Sequence, residues 1–240
     1  SSTVQVFFNN CPVPKENLLA NRGDGFKMAL NILNTGRIKL AAGSVGGAKF
    51  ACSNSVQYAT QRFQFEKSIA EFGAIQHKIG EMATRAFAVE SALYRTGRMI
   101  DQKYDELKAA GESDNDAKQK AIREFAVECA ILKVTGSETV TYGVDETIQV
   151  LGGMGYSMEQ GAEMGYRDAR ITRIYEGTNE INRMLSVGEL MKRAYKTKEV
   201  NLLKAGKELP GLLLKEWLPL PTTGKFGKEE SIVESLKKAF

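Results

Sequence analysis

The chain has 240 residues, 42% of them hydrophobic and 26% charged, and its 33 Lys and Arg against 29 Asp and Glu leave a net charge of +4. That length carries one large domain with appendages, and the interleaving of the two signs leaves no basic stripe for nucleic acid. A single histidine, His77, argues against a His-built metal centre or a Ser-His-Asp triad, three distant cysteines give no disulfide framework, and no apolar run approaches the ~20 residues that span a bilayer.

In chain order, Thr3–Phe8 is short and rich in β-branched and aromatic residues and reads as one strand, without a convincing partner nearby. Residues 9–21, with Pro12 and Pro14, read as a loop. From about Gly25 to Gln61 the sequence is Ala-rich, free of proline and helical in period, although Gly36, Gly43, Gly46 and Gly47 interrupt it. Each glycine costs up to ~1 kcal/mol against alanine in a helix, which a close neighbour or ligand would explain. A second helix is expected over about 72–102, with Phe72, Ile75, Ile79, Met82, Ala86 and Leu93 on one face. A third is expected over about 116–150, its buried stripe marked by Ile122, Phe125, Cys129, Leu132, Val140 and Ile148. Leu151–Tyr156 reads as a tight glycine loop, followed by a short helix near 158–167 and another from Thr178 to about Ala194. Three long helices and a fourth, joined by short turns, predict an all-α, antiparallel four-helix bundle with a residual N-terminal strand. The expected organisation is 1–23 as the end of a β-domain, 24–194 as the bundle, and 195–240 as a tail with short helices near 198–209 and 228–239.

Three segments carry candidate chemistry. The first is Tyr175-Glu176-Gly177-Thr178. Thr178 can cap a helix, and such a junction can aim Glu176 into an apolar pocket while leaving backbone N–H groups free. A carboxylate held dry becomes a usable base for a weak carbon acid, whereas the same residue in water is only a solvated side chain. The second is Arg62-Phe63-Gln64-Phe65, where a guanidinium beside aromatic rings suits a phosphate; it also suits a surface arginine closing a helix. The third is Gln149-Val150-Leu151-Gly152-Gly153, whose glycines would let a phosphate approach the backbone, or would simply end a helix.

Together, and at this spacing, the three segments resemble the acyl-CoA dehydrogenase family, flavoproteins that introduce a trans double bond at Cα–Cβ of a fatty acyl-CoA. The resemblance covers about residues 1–193, as the end of a middle β-domain followed by the C-terminal helical domain. Ile32-Leu33-Asn34-Thr35-Gly36-Arg37 and Glu71-Phe72-Gly73-Ala74-Ile75-Gln76 are most similar to the very-long-chain branch. The resemblance implies Glu176 as the α-proton base, FAD as hydride acceptor, and a supporting role for Arg37. It implies that Arg62, Gln64 and Phe65 reach the FAD of a neighbouring subunit, that Gln149 and Gly153 meet its adenosine-pyrophosphate end, and that Thr178 and Glu180 contact FAD within the subunit. Members with the base on an earlier helix are matched at Thr35, which cannot serve. Glu66 stands where the family has glycine, and Gly73 where some members have a flavin-touching glutamine.

The implied partners are a fatty acyl-CoA, electron-transferring flavoprotein and further copies of the chain through the bundle. A bacterial cytoplasm or a mitochondrial matrix is the implied location. The chain starts at Ser1 without an initiator methionine, as a cut or processed piece would, and alone it is expected to hold FAD poorly and not to turn over. An acyl-CoA oxidase, or an assembly module that kept the fold and lost the chemistry, are the alternative readings.

Overall fold

The computed structural model describes residues 4–19 and 21–197, so the helices expected beyond 197 lie outside the described residues. The described residues form seven α-helices: α1 (Gly25–Gln61), α2 (Gly73–Ala109), α3 (Asp114–Glu124), α4 (Ala126–Leu151), α5 (Gly153–Tyr156), α6 (Ala162–Arg170) and α7 (Asn179–Thr197). The expected N-terminal strand is not formed. Residues 4–8 pair with nothing among the described residues, and Val6, Phe7 and Phe8 stand exposed, because a strand without a partner has nowhere to place its backbone hydrogen bonds.

The helix limits follow local chemistry. α1 runs through its glycines and stops where Arg62 turns extended, its N–H closing on the Tyr58 carbonyl at 2.9 Å. A two-strand hairpin follows, β1 (Phe63–Gln64) against β2 (Lys67–Ser68), antiparallel with Phe63 opposite Ser68. Its turn residues Phe65 (φ 53°) and Glu66 (φ 67°) are both left-handed, as a tight two-residue hairpin requires, and neither is the glycine that adopts this backbone freely. Ser68 and Glu71 then form a reciprocal cap on a single 3-10 turn before α2. α2 extends past the expected limit to Ala109, over good helix formers that include a Lys103–Glu106 pair at 3.1 Å. The third expected helix is two: Ser113 caps α3 through the Asp116 N–H at 3.1 Å, and Phe125 (φ −101°, ψ 30°) breaks the path before α4. No glycine or proline marks that break, so the periodic pattern runs across it. The expected loop at 151–156 is a helical turn, α5, beyond a left-handed Gly152.

Contacts between the long helices fix their directions. Ala41, Ala51 and Ala59 of α1 meet Gly136, Thr147 and Val150 of α4, so α1 and α4 run parallel. Lys78 and Arg85 of α2 meet Glu146 and Tyr142 of α4, and Asn179 and Arg193 of α7 meet Ser137 and Glu128, so α2 and α7 run antiparallel to α4. The bundle is thus up-down-up-down with α4 central. Small residues bring α1 and α4 close: a Cβ on Gly136 would fall 3.1 Å from Ala41 Cα, and one on Gly47 would fall 3.0 Å from Val140. Ser55 and Thr147 share a buried hydroxyl contact of 3.0 Å across the same seam. The seam sets both ends of the bundle: the α1 and α4 C-termini with the hairpin at one, and the first half of α1 with the start of α7 at the other.

Candidate functional site

Glu176 sits between a 3-10 turn (Ile171–Arg173) and α7, in a left-handed conformation (φ 59°) followed by Gly177 (φ 83°). Left-handed backbone is uncommon for a non-glycine residue and persists only where its surroundings impose it. Here three side chains do so through the main-chain oxygens. Arg37 Nε donates to the Glu176 carbonyl at 3.2 Å. Asn182 Nδ2 lies within bonding distance of the carbonyls of Glu176 (3.3 Å), Gly177 (2.8 Å) and Thr178 (3.1 Å). Lys133 Nζ donates to the Gly177 carbonyl and to Asn179 Oδ1, both at 2.8 Å. Thr178 does cap α7, its Oγ1 accepting from the Ile181 N–H at 3.3 Å.

This backbone points the Glu176 side chain at α1. A Cβ built on Gly36 would lie 2.4 Å from Oε2, 2.6 Å from Cδ and 2.7 Å from Oε1, so the carboxylate occupies the space that a side chain at residue 36 would need. Oε2 is buried and has no hydrogen-bond partner, and the Glu176 N–H takes no acceptor among the described residues. Buried acceptors are nearly always satisfied, which makes an open one in a strained turn a functional signal. Thr35, matched to the alternative-base position, does not line the groove that Glu176 lines. It lines a separate apolar cavity of about 490 Å³ with Leu19, Met28 and Ile122, and Gly36 is the residue opposite the carboxylate.

Arg37 is buried, and burial lowers its pKa from the ordinary arginine value, an effect opposed by the charge of Glu176. It binds the main chain of Glu176 rather than its carboxylate, and its Nη1 bonds Asn34 Oδ1 at 3.0 Å. Burial and the neighbouring Arg37 bring Lys133 down to about 8, against the opposing charges of Glu180 and Glu176. Glu180 is exposed on the first turn of α7, and its carboxyl is held below the usual range by its own N–H and by Thr178.

Glu176 stands at one end of a groove of about 810 Å³. One face of α1 forms its floor, from Gly36 through Leu40, Gly43 and Gly47 to Ala51. Val140 and Val144 of α4 and Ala162, Gly165 and Ala169 of α6 form its walls. Missing side chains make the groove: Gly43 has nothing within 4 Å where its Cβ would be. From Gly36 to Ala51 the floor is ~23 Å long. It is mainly apolar, with Lys39, Asn54 and Asp168 at its margins.

The remaining candidate residues lie elsewhere. Arg62, Gln64 and Phe65 are exposed on the hairpin, the Phe65 ring 86% so and edge-on to Phe72 with centroids 6.2 Å apart. Gln149 and Gly153 are exposed at the same end, where Val150 and Leu151 pack with Ala59 and Ile69. Gly155, not Gly153, is locked by packing, since its Cβ would meet the Ile148 carbonyl at 2.7 Å; Gly153 is open. Arg62 lies ~37 Å along α1 from Arg37, so the hairpin set and the Glu176 set occupy opposite ends of the bundle. Among the described residues no group of His, Cys, Asp and Glu could hold a metal, and no helix is long and apolar enough to cross a membrane.

Sequence reasoning missed Lys133, Asn179 and Asn182, and it gave Gly36 only as one of four glycines that a close neighbour or ligand would explain. Lys133 did leave a signal, a charge inside the apolar run Ile131-Leu132-Lys133-Val134.

Residues 23–191 match the family model described as acyl-CoA dehydrogenase, C-terminal domain. The chain is 42% identical over 238 residues to a probable acyl-CoA dehydrogenase of Bacillus subtilis, covering 99% of this chain and 40% of that protein. It is 38% identical over 212 residues to the very long-chain specific acyl-CoA dehydrogenase of Rattus norvegicus mitochondria, covering 88% of this chain and 28% of that protein. Among solved structures, an acyl-CoA dehydrogenase complexed with FAD from Bacillus anthracis superposes with a TM-score of 0.85 at 42% identity, covering 94% of this chain and 38% of that one. The chain therefore spans well under half the length of the relatives it matches.

Proposed function

Because the chain belongs to the acyl-CoA dehydrogenase family, we propose that it supplies the catalytic base for α,β-dehydrogenation of a fatty acyl-CoA thioester, and that the base is Glu176. The observation that carries this is the buried, unpartnered Oε2 at the end of an apolar groove. An acceptor with no partner is ready for a proton, and the groove offers an acyl chain a dry wall of glycine and alanine. The free N–H of Glu176 lies beside the same carboxylate and is a donor for the thioester oxygen. Charge that develops there is stabilised most where water is excluded. As the Cα–H bond breaks, Glu176 would take the proton and the freed pair would form the new π bond; FAD, when bound, would supply the acceptor for the β-hydrogen with its electron pair.

Arg37 positions rather than transfers protons: its bond to the Glu176 carbonyl helps fix the turn. The two separated residue sets suit FAD held between subunits. Thr178 and Glu180 would contact the flavin beside Glu176. Arg62, Gln64, Phe65, Gln149 and Gly153, at the far end, would meet the flavin of a second copy. Their free donors and the exposed Phe65 ring fit a pyrophosphate and an aromatic base. Glu66, at φ 67° in the hairpin turn, adds a negative charge to that surface. Electrons would pass on to electron-transferring flavoprotein. By itself the chain offers two half-sites, so we expect it to bind FAD weakly.

Glu176→Gln in the full-length protein tests the reading. The loss of turnover expected for a general base is on the order of 10²–10⁴-fold, with the flavin spectrum retained. Wild-type turnover would place the base elsewhere.

A further inference from the structure

We infer that Lys133 is a positioning residue for Glu176, a buried ammonium that holds the Glu176–Gly177 turn in its left-handed form so that the carboxylate faces Gly36. This rests on the reading of Glu176 as the base. Lys133 is fully buried on α4 and makes no ion pair among the described residues. Its recorded bonds go instead to the Gly177 carbonyl and to Asn179 Oδ1, one on each side of Thr178. Asn179 is tied in turn to Ser137, one helical turn along α4 from Lys133, at 3.2 Å, and to Glu138 at 3.2 Å.

Stability alone does not account for a lysine here. Burying an ammonium costs several kcal/mol even after relaxation, and an apolar side chain of similar volume commonly does as well or better. What the ammonium adds is direction. Its bond fixes the peptide plane after Gly177, while Arg37 and Asn182 fix the plane after Glu176. With these two consecutive planes held, φ and ψ of Gly177, the residue between them, have little freedom, and the Glu176 carbonyl is fixed while its side chain lies toward α1. Burial and Arg37 already press Lys133 toward neutrality, which shows how much the site costs the cation it contains.

The test uses Lys133→Met, which keeps the length and removes the charge, and Lys133→Arg, which keeps the charge, both in the full-length flavoprotein beside Glu176→Gln. Misplacing a reacting group by about 1 Å costs on the order of 10²-fold in rate, so Lys133→Met is expected to lower kcat by roughly that factor with KM little changed. The kinetic isotope effect with α-deuterated acyl-CoA should rise, because proton abstraction becomes slower relative to the other steps. Lys133→Arg should recover part of both changes. A partly unfolded sample would lower apparent kcat and leave the isotope effect where it was. An inactive Glu176→Gln together with a Lys133→Met of wild-type isotope effect overturns the role of Lys133 and leaves the base in place. An active Glu176→Gln overturns the base and the role of Lys133 with it. Should Lys133→Met fail to fold, Lys133→Leu, a shorter side chain without the donor, takes its place, and a wild-type kcat and isotope effect there overturns the inference.

Discussion

Gly36→Ala separates folding from chemistry at one atom. The added Cβ would lie 2.4 Å from Glu176 Oε2, and ordinary contact begins at 3.4 Å, so the carboxylate must retreat by about 1 Å. It can do so, because it is the end of a flexible side chain rather than backbone. The helix gains: alanine for glycine inside α1 is worth up to ~1 kcal/mol. The site loses: a 1 Å displacement of a reacting group costs on the order of 10²-fold, about 2.7 kcal/mol of barrier. The expected variant is therefore as stable as the parent or more so, by urea midpoint, and about two orders of magnitude slower in dye-coupled acyl-CoA dehydrogenation by the full-length protein. Glu176→Asp, which withdraws the carboxylate by one methylene, should make room for that Cβ. The double variant should then lose less than the product of the two single losses, a coupling of about 0.5–3 kcal/mol. A Gly36→Ala enzyme with wild-type turnover would refute the claim that the carboxylate works from its place against α1.

Two further predictions concern stability. Lys133, at about 8 in the fold against 10.5 unfolded, binds its proton less tightly when folded, so the protein gains stability as pH rises above 8. Cys129, pushed up to about 11 by burial from 9.0, has the opposite sign and removes stability above pH 9. Urea midpoints should thus climb between pH 8 and 9 and level off beyond, and Lys133→Met should abolish the climb. At the α1–α4 seam, Gly136→Ala drives a Cβ to 3.1 Å from the Ala41 Cα and 3.4 Å from the Ser44 Cβ, where backbone has to move. It should cost about 1–3 kcal/mol by urea denaturation, whereas Gly43→Ala, with nothing within 4 Å, should not destabilise.

The long helices were legible because their signals are local. The α1 limits at Gly25 and Gln61 coincide with the change of period, and Ser113 and Thr178 cap the helices that follow them. The α3–α4 break at Phe125 was not legible, since no residue type there announces it. The N-terminal strand failed for the opposite reason: β-propensity describes a surface ready to pair, and nothing among the described residues pairs with residues 4–8. At the site, Glu176 was legible from its junction, and its surroundings were not. Gly36 is 140 positions away, and one glycine among four in α1 carries no mark of which one faces the carboxylate. Gly36 and its neighbour Thr35 show how fine that choice is, since one residue on a helix turns the side-chain direction by 100°, here from the Glu176 groove to a different cavity.

The energetics of the turn explain why so many donors converge on so few carbonyls. A non-glycine residue in left-handed backbone costs about 1–2 kcal/mol, and a buried acceptor without a partner costs about 1–3 kcal/mol more. A chain free to relax would remove both by flipping the Glu176 peptide and pairing the carboxylate with Arg37 or Lys133, two cations whose charges interact with that of Glu176. Both cations bond to the main chain of the turn instead. Arg37 Nε is committed to the Glu176 carbonyl and its Nη1 to Asn34, while Lys133 is committed to Gly177 and Asn179. Hydrogen bonds from charged donors contribute about 1.5–3 kcal/mol each, and these are made only while the turn is left-handed. The same bonds thus hold the strain of the turn, and they bind both cations to its backbone and not to the Glu176 side chain.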